Sequence, residues 1–187
     1  MNKTKTGTTM HNTIRSLYDE HEMIVEATEV AKDAAALIGT DDARYASTVK
    51  HLMDFFRTYA DGYHHHKEEE VLFPLMLESN ELLGDGVLKE MLENHADFRE
   101  MLDAITKDLD AGRLPEVRDG LAQYSEALLD HIAVENDEVF HMAMTLLDDN
   151  LLDRIGFQFE DHDRETGAER KEELAEMVRG LRKELAV

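Results

Sequence analysis

Twice in this chain a histidine is followed four residues later by a glutamate, and five residues further on by a phenylalanine: His64–Glu68–Phe73 and His131–Glu135–Phe140. Leu72 precedes one phenylalanine and Val139 the other. On an α-helix, positions i and i+4 lie one turn apart on the same face. Each copy therefore offers an imidazole and a carboxylate side by side. Two such helices facing each other could hold two metal ions with carboxylates between them, and that demands helices packed in parallel or antiparallel register around a common core.

The rest of the chain agrees with helices throughout. Proline occurs only at Pro74 and Pro115, glycine falls mostly between periodic segments, and no stretch alternates as a strand would. Apolar periodicity predicts helices over about 13–38, 41–77, 86–109 and 115–147, with Pro115 suited to a first turn. A short segment over 151–159 and a fifth helix over 168–185 follow. The expected fold is all-α: an antiparallel up-down-up-down four-helix bundle with an additional C-terminal fifth helix. It forms a single domain over 1–187, with the bundle over 13–147 and an accessory segment over 151–187. The fifth helix carries its own stripe, Leu174, Met177, Val178, Leu181 and Leu185. That stripe should lie against the bundle, a second copy of the chain or a protein partner. A weak duplication of pattern runs through the bundle, with a single-His helix followed by a His-x3-Glu helix, twice over.

Composition narrows the function. The 187 residues are 42% hydrophobic, enough for a sizeable core. There is no cysteine, which excludes disulfides, iron–sulfur clusters and thiolate zinc sites held by this chain alone. The formal net charge of -22 makes a surface that repels nucleic acid and anionic membranes. The start, MNKTKTGTT, is polar, and no run approaches a membrane span, so a cytoplasmic location is expected.

The histidines sort by whether they fall in the apolar stripe of their helix. His21 lies in the stripe Ile14, Leu17, Ile24, Thr28, Ala31. His95 lies among Leu88, Met91, Phe98 and Leu102, and His131 and Glu135 lie among Leu121, Tyr124, Leu128 and Met142. In the second helix three pairs compete, because His64, His65 and His66 precede Glu68, Glu69 and Glu70. The stripe through Phe56, Ala60, Tyr63, Val71 and Leu75 turns His65 away from the core and puts His64 and His66 on its flanks. Only the His64 register repeats the phenylalanine of the fourth helix. The candidate ligands are thus His21, His64, Glu68, His95, His131 and Glu135, with His66–Glu70 as the weaker alternative pair. His162 stands in the connection before the fifth helix, where it could cap the open end of the site or lie on the surface. His11 falls in a frayed N-terminus, and His51 and His141 fall off the stripes. Burying four imidazoles and two carboxylates without a metal would strand costly polar groups.

A sulfur-free set of four His and two Glu suits iron, with manganese or zinc as substitutes, and disfavours calcium. Two metals sharing two carboxylates would have two imidazoles each. That leaves positions for an oxo or hydroxo bridge and for an external diatomic or peroxide. Tyr18, Tyr63 and Tyr124 lie near the ligand level and are candidates to fix the outer imidazole nitrogens.

The stretch His64-His-His-Lys-Glu68-Glu-Glu-Val-Leu-Phe73-Pro74 resembles the signature of hemerythrin-like, or HHE cation-binding, domains. His131-Ile-Ala-Val-Glu135-Asn-Asp-Glu-Val-Phe140 resembles its second copy, and Tyr18-Asp-Glu-His21 and Glu93-Asn-His95 fit the single-His helices. The resemblance runs from about Ile14 to Leu147. It implies a four-helix bundle with a non-haem di-iron centre cycling between ferrous and ferric, with the six candidates above as ligands. Two departures separate the chain from the oxygen carriers of the family. Arg99 stands where they place a fifth His, and Glu135 follows its His by four residues rather than five. The pattern is closer to the four-His, two-Glu members, such as the di-iron proteins that repair iron–sulfur clusters. Those have a Cys-bearing N-terminal domain, and the iron-sensing E3-ligase relatives carry an F-box; this sequence contains neither. The expectation is a protein that binds or senses O2, NO, peroxide or iron. The alternative is an enzyme of nitric oxide or peroxide detoxification or of cluster repair.

Overall fold

The structure, a computed structural model, describes residues 10–186, and every element in it is helical. The polar start MNKTKTGTT lies outside the described residues. Helix α1 spans Asn12–Ala34 and tightens into a 3-10 turn at Ala35–Leu37. Helix α2 is continuous over 42–79, α3 spans Val87–Asp110, and α4 is continuous over 114–146. Two helices follow, α5 over Asp149–Thr166 and α6 over Ala168–Leu185. No helix among the described residues is long and apolar enough to cross a membrane.

Local chemistry sets the ends. Asp41 accepts from the backbone N of Arg44 at 3.0 Å, and Asp148 from that of Leu151 at 2.9 Å, so both cap orphan donors of a first turn. Pro115 sits in the first turn of α4. Gly39 and Gly112, at φ +79° and +68°, take the left-handed turns after α1 and α3. His11 is not frayed. Its ring accepts from the backbone N of Thr13 at 3.2 Å and caps α1.

The stretch read as a short segment over 151–159 is the helix α5, 18 residues long. Asp148 starts it, and its Leu152, Ile155 and Phe159 are buried against the bundle. The polar run after Phe159 hid it, because its outer face is hydrophilic apart from the exposed Phe157. Helix α6 packs on α1 and α2 through Leu174, Ala175 and Val178, so its apolar stripe faces the chain's own core.

Three segments of the long helices are π-helical: Phe56–His65, Glu68–Leu72 and Glu135–Val139. Such wider turns interrupt α-helices most often at functional sites. Here they change the phase of α2, and Tyr63, His64 and His65 are buried in succession. The α-periodic reading that turned His65 to solvent is therefore corrected: His65 is 2% exposed and stacks on His95 at 3.9 Å.

The core is in two parts. One apolar cluster holds Ile24, Phe56, Ala60, Phe98, Leu102, Tyr124 and Leu128; the other holds Ile14, Leu17, Leu72, Phe73, Leu88, Met91, Val139 and Phe140. Between them lies a layer of buried His and Glu. Along α1 the chain meets the second cluster, then His21, then the first. Along α2 the order is reversed, and it alternates again in α3 and α4.

Candidate metal centre

His21, His64, Glu68, His95, His131 and Glu135 all converge on this layer, each at most 2% exposed. Their ligand-capable atoms form two groups. His21, His64, Glu68 and Glu135 make one; Glu68, His95, His131 and Glu135 make the other. Within each group the atoms lie within 4.8 Å of one another, and both carboxylates belong to both groups. Nε2 of His21 is 3.2 Å from Glu135, and Nε2 of His64 is 3.6 Å from Glu68. Nε2 of His131 is 3.2 Å from Glu135, and Nε2 of His95 is 3.6 Å from Glu68.

The inward nitrogens are fixed by what holds the outward ones. Nδ1 of His64 donates to Glu20 at 2.9 Å and Nδ1 of His95 to Glu69 at 2.8 Å. Nδ1 of His21 donates to Oδ1 of Asn136 at 2.9 Å, and the amide of Asn94 stands 3.4 Å from Nδ1 of His131. A carboxylate can only accept, so His64 and His95 carry their proton on Nδ1 and turn a lone pair inward.

The carboxylates are left without donors. Both oxygens of Glu68, both of Glu135 and Nε2 of His64 are buried and make no hydrogen bond. Burial and the facing Glu135 charge push the Glu68 carboxyl well above its usual range. Burial opposes ionisation of Glu135 as well, but His131 and His21 hold it well below. Burial, together with His21, pushes His64 down to about 4, so its ring is neutral. Imidazoles around two close carboxylates with bare oxygens are a donor set for cations, and a divalent cation is the group such a set fits.

The outer partners were not legible as such. Tyr18 donates to the backbone O of Asn136 at 2.6 Å, and Tyr63 to that of Gly167 at 2.7 Å. Tyr124 packs between Phe56 and Phe98. None of the three holds an imidazole; Glu20, Glu69, Asn94 and Asn136 stand there instead, because carboxylates and amides reach across to the next helix at this level. A signal for them existed, since each adjoins a candidate ligand in sequence. His66 and Glu70 are exposed. The ring of His66 stacks on His162 at 4.0 Å. His162, inside α5, lies 2.8 Å from the Gly62 carbonyl and outside both ligand groups. Arg99 bridges Asp61 and Glu69 at 2.6 and 2.7 Å.

Two cavities approach the layer. One of about 390 Å³ is lined by Tyr18, His21, Val25, Ile132, Asn136 and Arg182. The other, of about 630 Å³, lies between α1, α5 and α6 and reaches Glu20 and Lys67.

No curated protein and no solved structure matches the chain. One family model does, over residues 12–143, which contain all six converging residues. The chain belongs to the hemerythrin HHE cation-binding domain family.

Proposed function

We propose that the chain holds two iron ions, one by His21 and His64 and the other by His95 and His131, with Glu68 and Glu135 shared between them. On this reading the protein binds or senses a small oxidant or diatomic, O2, NO or peroxide, or reports iron itself. The observation that carries it is the pair of overlapping ligand groups with both carboxylates in common. The antiparallel up-down-up-down arrangement of α1 to α4 is supported by the alternating order of core, ligand and core along them.

Bound iron would supply reversible electron transfer and open coordination positions. The chain supplies the rest. Glu20, Glu69, Asn94 and Asn136 keep the imidazoles aimed. Two carboxylates against two divalent ions leave net positive charge, which favours anionic or polarisable ligands. Phe140 stacks on His21 at 5.3 Å and Phe73 on His95 at 6.2 Å, keeping bulk water from one side. The cavity of about 390 Å³ that reaches His21 has room for a diatomic and includes apolar Val25 and Ile132 in its lining.

Metal content and the visible spectrum of anaerobically purified protein, before and after O2 and NO, test the reading. About two irons per chain and a stable spectral change support it. Steady turnover with a reductant would make the protein an enzyme of peroxide or nitric oxide chemistry. Stoichiometric zinc or manganese with no response would overturn the redox reading, and no metal after iron reconstitution would overturn the ligand assignment.

A further inference from the structure

We propose that Lys171 and Asp163, on the two C-terminal helices, are positioning residues for the metal at His64, acting through Glu20. The proposal rests on the two-metal reading above. Oε2 of Glu20 accepts from His64, and its Oε1 accepts from Nζ of Lys67 at 2.6 Å and from Nζ of Lys171 at 2.5 Å. Oδ2 of Asp163 accepts from the same two ammonium groups at 3.0 and 2.7 Å. Two carboxylates and two ammonium groups thus close a square behind one imidazole. Glu20 is 4% exposed and Lys67 2%. Charges this buried are costly unless each has its partners. Half of the square comes from α1 and α2, inside the family match, and half from α5 and α6, beyond it.

The square sets how strongly His64 donates. A carboxylate behind an imidazole N–H draws on the proton and makes the other nitrogen a better donor. Ammonium groups on that carboxylate pull its charge the other way. Lys171 therefore weakens the backing that Glu20 gives His64, and Asp163, by drawing on the lysines, restores part of it. The second metal position has a different arrangement: Glu69 behind His95 meets one guanidinium, Arg99, shared with Asp61. Two positions with matching ligands are in this way made unequal. Lys171 and Asp163 are the solvent-side members of the square, 19% and 22% exposed, and both line the cavity of about 630 Å³, so either can be changed with little loss of packing.

The test is Mössbauer spectroscopy and redox titration of the full chain loaded with iron-57, as wild type, Lys171→Met, Lys171→Arg and Asp163→Asn. Lys183→Met, which removes an exposed cation of the same helix, is the control. In wild type the two irons should be inequivalent. Lys171→Met should alter one of them and lower its midpoint potential, raising the ferric-to-ferrous ratio at fixed potential about tenfold, or ~59 mV for one electron. Asp163→Asn should shift the same iron the opposite way, Lys171→Arg should restore wild-type values, and Lys183→Met should leave both irons alone. A packing role alone would not reverse sign between the two variants. If Lys171→Met does not fold, Asp163→Asn carries the test by its direction. Two irons with unchanged parameters in the variants, or shifts of one sign in both, would overturn this proposal alone. A wild-type chain that takes up no iron would overturn the two-metal reading and this proposal with it.

Discussion

Glu69 accepts a 2.8 Å hydrogen bond from Nδ1 of His95 on the neighbouring helix, and it is the chain neighbour of Glu68, whose carboxylate faces the same imidazole from the inside. The relationship recurs around the bundle. Glu20, beside His21, holds His64; Asn136, beside Glu135, holds His21; Asn94, beside His95, stands against His131. Each helix thus supplies a candidate ligand and, from the adjacent position, the group that stands behind its neighbour's imidazole.

The backing groups should matter for metal binding almost as much as the ligands. Glu69→Gln and Glu20→Gln are each expected to weaken metal affinity by ~10–100-fold. Asn94→Ala, whose contact is longer at 3.4 Å, should cost less than either. Competition against a calibrated chelator measures all three; equal affinities across the set would contradict the ranking.

Metal removal should destabilise the fold. Ligand at 1,000 times its dissociation constant stabilises the native state by ~4 kcal/mol. Calorimetry of apo and reconstituted protein should show that difference in Tm. In the apo chain, Glu68→Gln relieves the repulsion between two buried carboxylates and should raise stability by about 1–3 kcal/mol, while metal binding is lost. An apo Tm that falls on this substitution would show that Glu68 already has a partner.

Two glycines on the C-terminal helices should respond in opposite directions to alanine. A Cβ at Gly156 would come within 2.6 Å of Oγ1 of Thr13, which itself donates to the Leu152 carbonyl at 2.8 Å. Gly156→Ala should cost about 1–3 kcal/mol by overpacking α5 on α1. At Gly180 nothing lies within 4 Å of the added atom, and Gly180→Ala should stabilise by ~0.5–1 kcal/mol through helix propensity. Urea unfolding of the two variants reads both signs.

Burial opposes the charge on Asp61, yet the nearby His65 and the hydrogen-bonding Arg99 hold its carboxyl at about 2, below its ordinary 3.8. A carboxyl with a lower pKa folded than unfolded stabilises the fold fully above its unfolded value and ceases to as pH falls through the folded one. Stability of the apo chain should therefore fall between about pH 4 and pH 2, and Asp61→Asn should flatten that part of the curve. Urea midpoints across this range check it.

The layer of buried His and Glu was legible because His64, Glu68, His131 and Glu135 repeat one helical spacing, and because His21 and His95 interrupt otherwise apolar stripes. An α-period decided those positions, and it also misplaced His65. The π turns of α2 put more residues into each turn in a way that no local residue pattern announces, and Lys67, between them, is buried as well, at 2% exposure. The backing groups were missed for a different reason. Glu20, Glu69 and Asn136 read as ordinary polar neighbours of a ligand, and their roles arise only from the helix packed alongside. Helix α5 escaped because Leu152, Ile155 and Phe159 are too few to declare a period against its polar remainder.

The closed circuit of backing bonds makes the centre a test of completeness. A helix that swings out takes with it its own ligand and the aim of the next one, so partial docking leaves no half-built site of ordinary affinity. On the two-iron reading, tight metal binding then comes only once all four helices have arrived, and in a denaturant titration of the iron-loaded chain the metal chromophore and the helical signal should vanish together.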